Sequence, residues 1–240
     1  VGYSDGTLEI RNGTSGEIEQ TLVGHSNYIT AIAWHTTETQ IISGSGDISE
    51  LYLWDLSTGT SYNLYSNHEF RSTVKSVSWD TDASQIIVST LSDVQVWNAL
   101  SSPPQFISQI HIPTVYRMVG LPSQSLIATQ THGDVILRDG VSFAQLSIVS
   151  TGGYGALAWS PDGQQLASGN WIGQIDIWDV SSDSFQSQHT VQDAIYSKPK
   201  PNAPVYIQAL SFNLTGTELY SVGFDGIYTQ WDIETGTMLN

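Results

Sequence analysis

Six histidines are spread along the chain, and their spacing bears on whether it could hold a metal ion. They are His25, His35, His68, His111, His132 and His189. No two of them stand at metal-ligand spacing on one predicted element, so we expect no zinc or iron site and no other cofactor. Ser43 or Ser45 with His25 and Asp47 could form a serine-type triad, but the repeats described below offer a structural role for the same side chains.

Other motifs that could support catalysis are incomplete. The glycine-rich segment 152–155 lacks the Lys-Ser/Thr pair that a phosphate-binding loop requires, so it is predicted to be a turn. Carboxylates are abundant but show no pairing typical of acid–base catalysis. The chain contains no cysteine, which excludes disulfides, thiolate metal sites and a cysteine nucleophile. These residues therefore favour a protein that is not an enzyme.

The charge balance is strongly acidic. Among 240 residues there are 23 acidic and 7 basic side chains, giving a net charge of −16. Such a surface repels phosphate backbones and anionic lipids, which disfavours nucleic-acid and membrane roles, and it attracts a basic protein. No apolar run approaches the ~18 residues of a membrane helix, and no secretory signal is recognisable. We expect a cytoplasmic location.

A short strand that ends in Trp-Asp, or in a variant of that pair, recurs along the chain. Its copies are LEIRN at 8–12, LYLWD at 51–55, VQVWN at 94–98, VILRD at 135–139, IDIWD at 175–179 and YTQWD at 228–232. The Trp or its substitute recurs at intervals of 40–43 residues, with one interval of 53. Alternating apolar and polar residues in these copies are typical of β-strands.

A second recurring position lies 18–20 residues before the Trp, or its substitute, in each of the last five copies. We call it the second mark of the repeat. It falls at Trp34, Trp79, Val119, Trp159 and Phe212. Two marks that keep one spacing through five copies indicate repeats of four short strands bounded by Gly, Ser, Asp and Pro turns. No window sustains a helical period over three turns, so the predicted fold class is all-β.

These repeats resemble those of the WD40 family. The matching features are the period, the Trp-Asp endings, Gly24-His25 at the start of the second repeat and the Ser-Pro-Asp-Gly turn at 160–163. The resemblance implies a β-propeller with four-stranded antiparallel blades. We expect six blades here, the first and last incomplete, and one propeller domain over residues 1–240. We further expect this chain to be a fragment of a longer protein with a six- or seven-bladed ring.

The resemblance also implies a network of His, Ser, Trp and Asp side chains that stabilises each complete blade. The residues assigned to it are His25, Asp47, Trp54, Trp97, Trp178, Asp225 and Trp231. Arg11 and Arg138 stand where Trp is usual, and the Asp is replaced in several repeats. We therefore expect the full network only in the second repeat.

One face of such propellers is formed by the loops between second and third strands and between successive blades. The partner-binding residues predicted on it are Tyr28, Phe70, Arg71, His132, Trp171, Tyr196, Lys198, Lys200 and Phe224. Exposed aromatic and arginine side chains dominate many interfaces. Trp171 is the strongest candidate because its loop position does not require a Trp for packing. Tyr116 and Tyr154 lie on the same face and could instead cover the rim of the core.

The interval of 53 residues marks an insertion at 190–204 on this face. Its alternating Lys-Pro residues at 198–201 favour an extended conformation that cannot pair into a sheet. A neutral surface loop and a partner-contacting or regulatory loop both remain open.

The sequence predicts a non-catalytic scaffold or sensor module that binds a protein or peptide, with a basic partner favoured. One version resembles the sensor propellers of apoptosome-type signalling ATPases and would require an attached signalling domain in the full-length chain. The alternative is a propeller that binds or hydrolyses a small ligand in its central channel. Only Lys75 and Arg117 are charged in the predicted first strands, which disfavours that alternative.

Overall fold

The computed structural model describes most of the chain as strands joined by short turns. The described residues are 1–35, 37, 39–46, 50–66, 72–80, 83–112, 115–121, 126–181, 185–192, 206–223 and 226–239. These ranges contain 21 strands and no helix long and apolar enough to cross a membrane. The chain divides into two compact units, Val1–Val115 and Tyr116–Asn240.

The first unit contains a two-stranded ribbon and two four-stranded antiparallel sheets with their strands in chain order. The ribbon pairs β1 (Leu8–Arg11) with β2 (Ile18–Leu22). The first sheet consists of β3 (Ile29–Trp34), β4 (Gln40–Ser45), β5 (Leu51–Asp55) and β6 (Thr60–Asn63). The second consists of β7 (Ser76–Trp79), β8 (Gln85–Ser89), β9 (Asp93–Asn98) and β10 (Gln105–His111).

The second unit contains three further antiparallel sheets, again with sequential strands side by side. One consists of β11 (Arg117–Leu121), β12 (Leu126–Gln130), β13 (Asp134–Asp139) and β14 (Gln145–Ser150). The next consists of β15 (Leu157–Trp159), β16 (Gln165–Gly169), β17 (Gln174–Asp179) and β18 (Gln186–Gln192). The last has three strands, β19 (Ile207–Phe212), β20 (Glu218–Gly223) and β21 (Tyr228–Asp232).

Each sheet of three or four strands is a blade, and the described residues form five blades rather than the six predicted. We number them blade 1 (β3–β6), blade 2 (β7–β10), blade 3 (β11–β14), blade 4 (β15–β18) and blade 5 (β19–β21). Residues 1–23, predicted as an incomplete first blade, form only the ribbon β1–β2 and a bridge between Gly2 and Leu8, so the predicted count of six blades is wrong. The all-β class is confirmed. The single-domain assignment and the ring size stay predictions.

Neighbouring blades within each unit bury the apolar faces of their strands against each other. Because side chains alternate along a strand, Ile175 and Ile177 in β17 share one face, and they are 0% and 2% exposed. They pack with Ile207, Leu219 and Trp231 of blade 5. Burying an aliphatic side chain of this size contributes about 1.5–3 kcal/mol. The repeated strands thus stabilise the fold chiefly through contacts between blades.

Tryptophans at the ends of first strands also connect neighbouring blades. Trp79 Nε1 in β7 donates a hydrogen bond to the carbonyl oxygen of Ala33 in β3, at 3.4 Å. Trp159 Nε1 in β15 donates to the carbonyl oxygen of Val119 in β11, at 3.1 Å. At these two positions, the second mark of the repeats lies at a contact between blades.

Candidate functional site

Five aromatic side chains from the loops of the second unit lie together, and we call this group the aromatic platform. Its members are Tyr116, His132, Tyr154, Trp171 and Tyr206. The three tyrosines each precede the first strand of a blade: Tyr116 precedes β11, Tyr154 precedes β15 and Tyr206 precedes β19. His132 lies in the β12–β13 turn and Trp171 in the β16–β17 turn. In an antiparallel meander, the start of the first strand and the turn between the second and third strands lie at the same end of the sheet. The repeat architecture therefore brings these loops together.

Each ring of the platform lies against at least one other. Tyr116 and Tyr154 are stacked, with centroids 4.5 Å apart and planes 10° from parallel. The imidazole of His132 lies 5.5 Å from Tyr154 and 6.1 Å from Tyr116. Trp171 is 6.2 Å from His132 and 6.4 Å from Tyr154, and Tyr206 meets Tyr154 edge-on at 5.8 Å. Offset and edge-to-face arrangements of this kind are the favourable geometries for aromatic pairs.

Trp171 is held in place although 48% of its surface is exposed. Its Nε1 donates a 3.0 Å hydrogen bond to the carbonyl oxygen of Gly152. Its ring lies against Gly153, where an added Cβ would stand 2.5 Å from Cδ1 of the indole. Only glycine at position 153 leaves room for the ring in this position.

The loop that carries Trp171 is fixed by Asn170, which is 1% exposed. Asn170 Nδ2 donates to the carbonyl oxygen of Thr151 at 2.9 Å. Its Oδ1 accepts the backbone N–H groups of Ile172 and Gln174, at 3.1 and 3.0 Å. One buried amide therefore closes the β16–β17 turn and joins it to the loop before β15.

A second buried amide connects blades 3 and 4 through the same segments of chain. Gln130, at the end of β12, donates through Nε2 to the carbonyl oxygen of Gly169 at 3.3 Å. Its Oε1 accepts the N–H of Gly155 at 3.1 Å. Arg117 Nε donates to the carbonyl oxygen of Gly155 at 3.4 Å. The loops of the platform are thus anchored by polar contacts between blades.

The structure brings together two of the predicted partner-binding residues, His132 and Trp171, and both are exposed. Tyr28 belongs to the first unit, is 38% exposed and contacts Gly46. The remaining predicted positions lie outside the described residues: Phe70, Arg71, Tyr196, Lys198, Lys200 and Phe224. The insertion at 190–204 is outside them too, except for residues 190–192 at the end of β18.

Tyr206 was missed by the sequence-based prediction, although a signal for it exists. It stands six residues before the mark Phe212, as Tyr28 stands six residues before the mark Trp34. Tyr116 and Tyr154, which the sequence places either on the binding face or over the rim of the core, are half-buried members of the platform.

The network assigned to the second repeat centres on Ser43 in blade 1. His25 Nε2 lies 2.7 Å from Ser43 Oγ, and Trp54 Nε1 donates to the same oxygen at 2.8 Å. His25 Nδ1 lies 3.3 Å from Oε2 of Glu50, a contact that the sequence did not predict. Burial lowers the pKa of His25, against the opposing effect of Glu50. Asp47 lies outside the described residues.

Ser43 is not placed for nucleophilic catalysis. Its side chain is 0% exposed, and its hydroxyl is already engaged by His25 and Trp54. A nucleophile must reach its substrate, whereas this oxygen is enclosed by the blade. Among the described residues no group of three or more His, Asp or Glu side chains could hold a metal ion.

Other blades keep the tryptophan part of this arrangement. Trp178 Nε1 donates to Ser168 Oγ, and Trp231 Nε1 donates to Ser221 Oγ, each at 2.9 Å. Trp97 in blade 2 is 1% exposed and packs against the rings of Tyr65 and Phe106. Asp225 lies outside the described residues.

Arg138 occupies the tryptophan position of blade 3. Its Nε donates to Thr129 Oγ1 at 3.1 Å, and its Nη1 donates to the carbonyl oxygen of Phe143 at 3.2 Å. Arg138 pairs with Ile127 of β12, and Thr129 is two residues further along that strand. In the same way, Trp178 pairs with Leu166 of β16, and Ser168 is two residues further along. An arginine N–H thus replaces the indole N–H.

Comparison with known proteins supports the repeat assignment in both units. The family model described as "WD domain, G-beta repeat" matches residues 16–49 and 148–179. Periodic tryptophan protein 2 of Arabidopsis thaliana is 27% identical over 186 residues, which cover 75% of this chain and 20% of that protein. Cell division cycle 20.5, cofactor of APC complex, of the same plant is 26% identical over 224 residues, covering 89% and 47%. The chain therefore spans about a fifth to a half of the length of these relatives.

Solved structures give the same fold. The Cps50 (Swd1) beta-propeller domain of Myceliophteria thermophila superposes with a TM-score of 0.80 at 16% identity, covering all of this chain and 80% of that one. A chain of the mitotic checkpoint complex superposes with a TM-score of 0.74 at 21% identity, covering 97% and 70%. Together with the repeat marks, these matches show that the chain carries WD40 repeats at residues 16–49 and 148–179 and has a β-propeller fold.

Proposed function

We propose that this chain is a non-catalytic protein-interaction scaffold or sensor module that binds a protein or peptide through the loops carrying the aromatic platform. The observation that carries the proposal is the clustering of five aromatic side chains from five separate loops. Large aromatic side chains that are exposed yet held rigidly are the residues that most often dominate binding energy at protein interfaces.

The relatives support a protein partner rather than a small substrate. One relative is described as a cofactor of the APC complex, and one structural neighbour belongs to the mitotic checkpoint complex. Both descriptions concern proteins that work in assemblies with other proteins. The fold alone hosts many functions, so the platform is the stronger argument.

We further propose that the partner is basic and that the interaction occurs in the cytoplasm. The net charge of −16 favours encounter with a positively charged protein and disfavours nucleic acid. An attached signalling domain in the full-length protein would fit the sensor version of this proposal. The ionic-strength dependence of the association rate would report the charge of the partner.

Affinity purification with quantitative mass spectrometry tests the proposal. The bait is the tagged chain, compared with a Trp171→Ala/His132→Ala double variant. The matched control is Leu214→Ala, because Leu214 is 96% exposed and lies in the β19–β20 turn, at the opposite end of the sheet from the platform. We expect the double variant to lose about nine-tenths of the recovered partner and the control to lose none. Equal recovery by all three baits would refute the proposal.

A further inference from the structure

Trp171 presents an aromatic surface that the fold holds ready for a ligand. The hydrogen bond from Nε1 to Gly152 fixes one edge of the indole, and Gly153 lies against its pyrrole ring. Almost half of the side chain remains exposed. A ring that is already immobilised loses little conformational entropy when a partner stacks on it.

The other rings of the platform enlarge this surface rather than enclose a cavity. Tyr116 and Tyr154 cover each other's inner faces because they are stacked at 4.5 Å. The exposed imidazole of His132 lies beside both this pair and the indole, 5.5 Å from Tyr154 and 6.2 Å from Trp171. The result is a partly open surface of π-systems, which suits a flat group better than a compact one.

The charge balance of the second unit favours a cation. Residues 116–240 contain 11 acidic and four basic side chains, and the carboxylate of Asp134, two residues from His132, accepts a hydrogen bond from Ser150. Of the described basic residues in the second unit, Arg117 donates to the carbonyl oxygen of Gly155, and Arg138 donates to Thr129 and Phe143 in blade 3. A positive group brought by a partner would therefore meet aromatic faces on a unit of net negative charge.

We propose that the aromatic platform binds the guanidinium group of an arginine in a basic segment of the partner, stacked on the exposed face of Trp171. This inference rests on the proposed function. A guanidinium is planar, weakly hydrated and always charged, so it can stack on an indole and interact with its quadrupole at the same time. A lysine ammonium fits this flat surface less well because it is compact and strongly hydrated.

Nuclear magnetic resonance of the indole N–H groups tests this directly. The isotope-labelled chain is titrated with the peptide Ac-Gly-Arg-Gly-Arg-Gly-NH2 and with its citrulline twin, which keeps the planar shape and lacks the charge. Trp171→Phe assigns the Trp171 signal. Trp34 serves as the internal reference, because it is 47% exposed and belongs to the first unit. We expect the arginine peptide to shift the Trp171 signal saturably, about two- to fivefold more tightly than citrulline, and to leave Trp34 unmoved.

The inference is overturned if both peptides shift Trp171 equally, if Trp34 moves as much as Trp171, or if neither peptide has an effect. The proposed function is judged separately, by partner recovery with the Trp171→Ala/His132→Ala variant. If the double variant loses partner recovery but the arginine peptide does not shift the Trp171 signal, the platform is a docking surface that does not bind arginine. A peptide shift with unchanged recovery would support arginine binding and refute the docking role.

Discussion

The indole of Trp171 lies so close to Gly153 that a Cβ atom at position 153 would stand 2.5 Å from Cδ1 and 2.7 Å from Nε1 of the ring. We therefore expect Gly153→Ala to displace the indole and break its hydrogen bond to Gly152. The indole N–H signal of Trp171 would move, and partner recovery would fall as it does in Trp171→Ala. Overpacking of this kind costs about 1–3 kcal/mol when the site cannot relax.

Gly133→Ala is the matched control for this substitution. Gly133 is next to His132, and a Cβ added there would meet no atom within 4 Å. It should leave both the Trp171 signal and partner recovery unchanged. If the two glycine variants behave alike, the contact between Gly153 and Trp171 does not position the indole.

Ser43 stabilises two buried groups, whereas Ser168 stabilises one. Ser43→Ala removes the partner of both His25 Nε2 and Trp54 Nε1, while Ser168→Ala removes only the acceptor of Trp178 Nε1. Each orphaned buried group costs about 1–3 kcal/mol. We expect Ser43→Ala to lower the free energy of unfolding by about 2–4 kcal/mol, and Ser168→Ala by about half as much. Urea midpoints measured at a constant m-value would show this order, and equal losses would contradict it.

Stability should decrease at acidic pH partly because of His25. Burial lowers its pKa in the folded chain below the ordinary value of 6.5, so the unfolded chain binds the proton more readily. The contribution of neutral His25 is therefore complete above about pH 6.5 and is lost as pH falls through the lower folded pKa. The groups that face it are Ser43, Glu50, Tyr52 and Trp54.

The His25→Gln variant isolates this contribution from the other five histidines. It should be less stable than the wild type at about pH 8, and it should lose less stability between about pH 8 and about pH 5.5. Urea midpoints at the two pH values measure both quantities. An unchanged pH dependence in His25→Gln would show that this histidine does not contribute to it.

Replacing Arg138 by tryptophan should preserve the stability of the fold, whereas replacing it by alanine should reduce it. Burial lowers the pKa of its guanidinium, which reflects the cost of placing a charge in the blade. Arg138→Trp removes that charge, and its indole N–H can donate to Thr129 as Trp178 donates to Ser168. We expect its stability to equal or exceed that of the wild type, while Arg138→Ala loses about 1–2 kcal/mol through lost packing and hydrogen bonding. Equal destabilisation by both substitutions would refute this equivalence.

The sequence predicted the blades well because each repeat carries its own local pattern. Trp54, Trp178 and Trp231 mark strands that the structure also contains, and strand alternation alone predicts the buried face of β17. The blade count failed at the N-terminal end, where the pattern around Arg11 resembles a third strand. The pattern of one strand does not show how many other strands complete its sheet, so a two-stranded ribbon cannot be told from part of a blade.

The site was only partly predictable, for a different reason. Trp171 and His132 could be assigned to loops of one face because loop position follows from the repeat. Their grouping with Tyr116, Tyr154 and Tyr206 depends on how three blades pack, and periodicity does not specify that packing. Glu50 beside His25 was missed because its role depends on the local path of the chain between β4 and β5.

The most direct test of the central claim is the affinity of a purified partner for the platform. Once affinity purification has identified the partner, calorimetry would compare the wild type with Trp171→Ala and with Leu214→Ala. We predict that Trp171→Ala raises Kd by about tenfold or more, equivalent to at least about 1.4 kcal/mol, and that Leu214→Ala leaves it unchanged. A Kd for Trp171→Ala within about twofold of the wild type would contradict the assignment of the aromatic platform as the binding surface.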